Sequence, residues 1–332
     1  MPDLIDVHAH HYPQSYLDAC RREDSGFDSY VRDDGRLVVL QDGAVALAAP
    51  QPMPTLDQRL TAMDEAGVEV QVLSISAPNV YRFPARWRAS LTRDLNDELH
   101  DLSTASGSRL KTFISLPLPD VEASLRELDR ALGLPGSVGV MITTTVDRRT
   151  LDDPHFLPLL EALSDRRCVV LVHPTTACCT EGIRDYALAL GLDFLAETTN
   201  CIARLVYSGR FEQFAGIDWI FSHLGGTTPF LIHRFDNYYQ QFPECRQHIE
   251  RPPSEILRRA YFDTVTTNVP ALRCALDTFD PGQFVFGTDY PHVPGGLARF
   301  TSTLQEAGLT DADSAAIGHV TASRLLGVRT HS

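Results

Sequence analysis

Residues 168–174 read CVVLVHP, an unbroken apolar run closed by a histidine and a proline. A strand that is apolar at successive positions, rather than at alternate ones, is covered on both faces, as in a parallel sheet beneath helices. Residues 68–76, VEVQVLSIS, have the same character. Working outward, six more candidates appear: Leu4–His10, Lys111–Leu118, Ser137–Thr145, Ile217–Gly226, Ala260–Val265 and Phe284–Pro291. Between them lie stretches of helical period, Thr55–Ala66, Trp87–Ala105, Val121–Leu132, Pro154–Leu163, Phe194–Phe211 and Val269–Thr278. Asp120, ahead of VEASLRELDRAL, is placed to cap the first free N–H groups of its helix. Strand and helix alternate from end to end, so the chain is expected to form an α/β fold, a (β/α)8 TIM barrel with its active site at the C-terminal strand ends.

One connection breaks the pattern. Residues 11–54 separate the first strand from its helix, far beyond the ~2–6 residues of an ordinary βα loop. Within them RLVVLQDGAVAL has two apolar runs about Asp42-Gly43, a two-residue hairpin signal. The expectation is a single barrel domain over 1–332, with 11–54 forming a small β-hairpin insertion subdomain over the mouth.

Composition sets the outer limits. The 332 residues suit either two ordinary domains or one barrel, and 43% hydrophobic with 22% charged residues give ample material for a core. The formal charge of −14 argues against a nucleic-acid or anionic-membrane footprint. No stretch approaches the ~18 apolar residues of a membrane span, and MPDLIDVHAH lacks the pattern of a secretory leader, so a cytoplasmic location is expected. The seven cysteines, Cys178 and Cys179 among them, include no C-x-x-C pair and are read as free thiols.

Ionisable residues gather where a barrel would need them. The first strand ends in His8-Ala9-His10, the fifth in His173, the sixth in His223 and the eighth in Asp289. A spacing of two on a strand turns His8 and His10 to one face. Imidazoles joined by a carboxylate suit Zn²⁺, with Mn²⁺ or Fe²⁺ as alternatives, and an open position would serve catalysis. His11 and His292 are neighbours of this set in sequence and are read as structural, as are His100, His155, His233, His248, His319 and His331.

The motifs IDVHAHHYP, LVHP around His173, AETTNCIARLVYSGRFEQF, FSHLGGTTPFLIHRFD around His223 and FGTDYPH around Asp289 run through nearly the whole chain. In these the sequence resembles the amidohydrolase superfamily, in the branch of aminocarboxymuconate-semialdehyde and γ-resorcylate decarboxylases. The resemblance implies that His8, His10, His173 and Asp289 hold one divalent metal, with His223 beside it as an acid/base or within ligand distance. Two-metal members use a carboxylated lysine at the end of strand four. Strand four here, SVGVMITTT, has none, and Lys111, the only lysine, opens strand three. A mononuclear site follows.

The same resemblance implies a metal-dependent decarboxylase, with Asp289 and His223 moving the proton onto the carbon that loses CO2. The substrate is expected to be a small carboxylic acid, salicylate-like or muconate-type, and no organic cofactor is implied. Arg234 in FLIHRFD matches a family arginine that reaches a neighbouring subunit's site, which implies a homodimer and a substrate-binding role. Muconate-semialdehyde enzymes carry a second arginine in the insertion, where this chain has AAPQPMP. That apolar loop favours an aromatic acid, with Tyr81, Phe83, Phe230 and Tyr290 as candidate wall residues. The rival reading is a mononuclear hydrolase of an amide, ester or lactone, built on the same residues. A metal-stabilised binding protein without catalysis is a further class.

Overall fold

The computed structural model describes residues 3–177, 180–293 and 295–328, so Cys178, Cys179 and His331 lie outside the described residues. Thirteen strands are present among them. Eight form the barrel: β1 (Leu4–His10), β5 (Val68–Ser74), β6 (Leu110–Ile114), β7 (Ser137–Thr143), β10 (Val169–His173), β11 (Asp218–Phe221), β12 (Tyr261–Asp263) and β13 (Phe284–Val285). They pair in parallel in that order. The last strand returns to the first: Ala9 bridges Tyr290 in parallel, the Val7 N–H donates to Phe286 O at 2.9 Å and the Asp289 N–H to His8 O at 2.7 Å. The expected (β/α)8 architecture is therefore the observed one.

Every barrel strand but the first is shorter than its apolar run, the sixth and eighth most of all. The sixth stops at Phe221 because His223 and Leu224 take left-handed backbone (φ 54° and 59°) and the two glycines after them also have positive φ. The eighth keeps ladder geometry over two residues and then follows β1 by single hydrogen bonds.

Every strand of the barrel but β12 contributes to one inner cluster, which includes Ile5, Val7, Val72, Phe113, Met141, Leu171, Ile220 and Val285, with Tyr261 of β12 packed against it. Ala322, Leu326 and Val328 from the C-terminal end of the chain join it. A larger cluster lies between sheet and helices, where Val170, Val172, Trp219 and Phe221 meet Leu95, Leu99, Leu128, Leu163 and Leu205. The β1–β5 register shifts between Asp6 and Ala9. Such a slip exchanges the two faces of a strand. Ile5 and Val7 thus share the inner cluster with Leu171, while His8 and His10, of opposite parity, still meet His173, which has the parity of Leu171.

In the insertion, β3 (Leu37–Gln41) and β4 (Ala44–Ala49) form a hairpin across Asp42 and Gly43, both at positive φ as a tight two-residue turn requires. A third antiparallel strand, β2 (Asp28–Val31), adds to β3. Its sequence, DSYV, is polar and exposed, so no apolar alternation marks it. Two further short strands, β8 (Thr145–Val146) and β9 (Arg149–Thr150), form a small ribbon after β7. No helix among the described residues is long and apolar enough to cross a membrane.

Candidate active site

Strand ends bring His8, His10, His173 and Asp289 together so that one ligand atom from each lies within 4.8 Å of the others. His10 Nε2 is 3.0 Å from Asp289 Oδ1, and the His8 and His10 Nε2 atoms are 3.0 Å apart. His223 stands beside them, its Nε2 3.7 Å from Asp289 Oδ2.

The outer nitrogens decide what the inner ones can do. His173 Nδ1 faces the carbonyl of Pro174 at 2.7 Å and must donate to it. His8 Nδ1 donates to Asp263 Oδ2 at 2.5 Å. His10 Nδ1 donates to Ser74 Oγ at 3.0 Å, whose own hydroxyl points to the Ala9 carbonyl. Each ring then presents an unprotonated Nε2 to the same small volume. Only a proton or a cation can sit between lone pairs 3.0 Å apart, and the buried His173 Nε2 has no partner at all. Burial pushes His10 down to about 3 and His173 well below its ordinary range, keeping both rings neutral. For His8, burial is outweighed by the Asp263 carboxylate and the value rises. Burial would likewise raise Asp289, but the imidazoles of His10 and His223 hold it well below the usual carboxylate range. With the His8 ring giving up a proton to the ion, three imidazoles and one carboxylate fit a single divalent ion.

The backbone is bent to make this cluster. His223 and Asp289 both have left-handed φ, 54° and 56°, a conformation that costs non-glycine residues about 1–3 kcal/mol. Asp263 holds the first, its Oδ1 accepting the His223 N–H at 2.7 Å and the Val265 N–H at 3.0 Å. The His8 carbonyl holds the second, accepting the Asp289 N–H. Gly287 lets the strands approach, since a Cβ there would lie 3.0 Å from the Cβ atoms of both His8 and Asp263. Beneath β1, the fully buried Arg59 donates to His10 O (2.8 Å) and to Gln71 Oε1. Gln71 Nε2 and Thr288 Oγ1 in turn donate to Asp6 Oδ2 at 2.8 and 2.6 Å.

Asp263 therefore serves three donors with its two oxygens. Asp263→Asn has one acceptor oxygen, and its amide nitrogen would face an N–H donor whichever way it turned. The variant is expected to bind divalent metal about 10–100-fold more weakly, measured by chelator competition, and unchanged affinity would remove this role from Asp263.

The cluster opens into a cleft of about 760 Å³, within the ~300–1,000 Å³ of small-molecule sites. Its apolar walls include Leu47, Leu190, Phe194, Val265 and Phe300, and its polar parts include Arg36, Ser76 and His292. The expected aromatic walls are corrected here. Phe83 packs inward against Tyr16 and Phe27, Tyr290 lies under the Arg59 guanidinium, Phe230 is 81% exposed, and Tyr81 borders a separate small pocket. His292, read from sequence as structural, lines the cleft with its Nε2 2.7 Å from Tyr12 OH. Arg234 is exposed on the Thr228–Gln241 helix, donating to Tyr238 OH at 2.7 Å, and is not among the residues lining its own chain's cleft. Asp263 and Arg36 carry no mark in the sequence beyond one acid closing a short apolar run and one base in a polar stretch.

A family model described as amidohydrolase matches residues 5–328. The chain is 32% identical over 316 residues to 6-methylsalicylic acid decarboxylase of Aspergillus aculeatus, covering 91% of this chain and 88% of that one. It is 26% identical over 318 residues, with the same coverage, to 2-amino-3-carboxymuconate-6-semialdehyde decarboxylase of Dictyostelium discoideum. Among solved structures, Metarhizium anisopliae IDCase superposes with a TM-score of 0.87 at 24% identity, covering 98% of this chain and 97% of that one. Dihydroxybenzoic acid decarboxylase of a Polaromonas species, solved with bound manganese and 2-nitroresorcinol, gives 0.80 at 21% identity, with coverage of 98% and 97%.

Proposed function

The chain belongs to the amidohydrolase family, and from that premise we propose that it is a metal-dependent decarboxylase of a small, salicylate-like aromatic acid. The observation that carries this reading is the pairing of His223 with Asp289 where the histidine cluster meets a largely apolar cleft. His8, His10, His173 and Asp289 would hold one divalent ion. Bound there, it would supply Lewis-acid polarisation of the substrate's oxygens. The donor set suits Zn²⁺, and the Polaromonas decarboxylase makes Mn²⁺ the alternative.

The apolar walls hold the ring and exclude water, while the polar floor orients the carboxyl group. As the C–C bond breaks, its electron pair stays on the ring carbon and CO2 departs. That carbon then takes a proton delivered by the His223–Asp289 pair, which His223 resupplies from the cleft, so one proton is consumed per CO2 released. We also propose a cytoplasmic homodimer in which Arg234 lies toward a second copy's site. Its support is the exposed stripe of Phe230, Arg234, Tyr238 and Phe242 at four-residue spacing.

The test is direct. Protein carrying about one equivalent of divalent metal by elemental analysis is expected to release CO2 and the corresponding phenol from salicylate-type acids. Two fragments from an ester, amide or lactone, with no CO2 from any acid, would make it a hydrolase instead.

A further inference from the structure

Arg36 is the only arginine or lysine among the described residues that line the cleft. It comes from the insertion, immediately before β3, rather than from a barrel strand. We infer that Arg36 recognises the substrate's carboxylate and is the specificity-determining residue that selects acids over neutral phenols. This rests on the decarboxylase reading above.

The guanidinium is held in place but largely unspent. Its side chain is 26% exposed; Nη1 donates to the Ala48 carbonyl at 3.2 Å, and Nε is 3.8 Å from Asp34 Oδ2. Asp34 is already engaged by the Arg32 side chain and by the backbone N–H of Arg36. Of the five N–H donors of a guanidinium, only one is committed to a hydrogen bond, leaving an edge free for two carboxylate oxygens.

Arg36 shares the cleft lining with His292, which stands beside the histidine cluster. His292 Nε2 meets Tyr12 OH at 2.7 Å. Tyr12 OH in turn sits 2.5 Å from Ser76 Oγ on the barrel side. Tyr12 thus links His292 to Ser76, and the His292 ring centroid is 5.4 Å from that of His10.

Charge gives the arrangement its purpose. A chain of net charge −14 repels an arylcarboxylate, and the apolar walls offer no compensating donor. A planar guanidinium answers that locally and matches a carboxylate in shape. A neutral phenol gains nothing from it.

The metal-loaded protein and its Arg36→Met and Arg36→Lys variants would be compared. Calorimetry with benzoate as an unreactive acid and phenol as its uncharged counterpart would run alongside steady-state kinetics. Arg36→Met is expected to bind benzoate about 10–100-fold more weakly, the equivalent of one charge-assisted hydrogen bond. KM for aromatic acids should rise in proportion with kcat little changed, while phenol affinity and metal content stay at wild-type levels. Arg36→Lys should recover part of the loss. Benzoate affinity unchanged in Arg36→Met, or benzoate and phenol weakened equally, would overturn the assignment. Selective loss of benzoate in a protein that releases no CO2 would keep Arg36 as the carboxylate site and remove the decarboxylase. CO2 release by the wild type with unchanged benzoate affinity in the variant would do the reverse.

Discussion

His173→Ala is expected to yield protein that holds no divalent ion after purification and releases no measurable CO2. The ring closes β10 with its Nδ1 fixed on the Pro174 carbonyl, so its Nε2 has no task other than the shared volume with His8, His10 and Asp289. Loss of an outer partner of a metal ligand typically costs about 10–100-fold in affinity or activity, and loss of the ligand itself exceeds that. The fold should survive, since the lost side chain belongs to the polar floor and the Val169–Val172 run that packs β10 is untouched. Elemental analysis and CO2 release should fall together. A variant that loses turnover while keeping one equivalent of metal would take His173 out of the ligand set.

His223→Ala is expected to separate the two properties, keeping metal and losing turnover. His223 stands outside the group of four, its Nε2 3.7 Å from Asp289 Oδ2 and its ring edge-on to those of His8 and His173 at 5.3 and 5.5 Å, and it lines the cleft. A positioned proton-transfer group typically contributes about 10²–10⁴-fold, and the expected fall in kcat is of that order. The residue's backbone N–H, which Asp263 accepts, is retained in the alanine variant, so the turn after β11 should persist. Loss of metal along with activity would make His223 a ligand.

The barrel was legible because a strand buried on both faces writes itself as a continuous apolar run, and VEVQVLSIS and CVVLVHP are such runs. The meeting of these side chains was legible for a related reason: His8, His10, His173 and Asp289, with His223 beside them, fall at the ends of those runs, where polarity has no structural excuse. Asp263 was not. It closes the short run YFD, but its meaning depends on the His8 ring 255 positions away, and nothing local records that contact. Arg36 sits in VRDDGR, where a base reads as a solvated loop charge. The aromatic walls failed for a different reason. An aromatic residue announces that it will be buried against something, not which way it will point. Phe83 faces the insertion's helix, Tyr290 faces Arg59, and Phe194 from the helix after β10 takes the place against the cleft.

The closure of β13 onto β1 has a consequence for biosynthesis. Asp289, hydrogen-bonded back to His8, follows it by about 280 positions in the chain. At ribosomal rates of about 5–20 residues per second, roughly 15–60 s separate their appearance. Throughout that interval the nascent chain carries an HxH pair with neither its carboxylate partner nor the strand that buries it. The full group of His8, His10, His173 and Asp289 exists only once the ring has shut. A chain terminated anywhere before Asp289 lacks one of the four side chains that meet there, whatever the quality of the barrel it has begun.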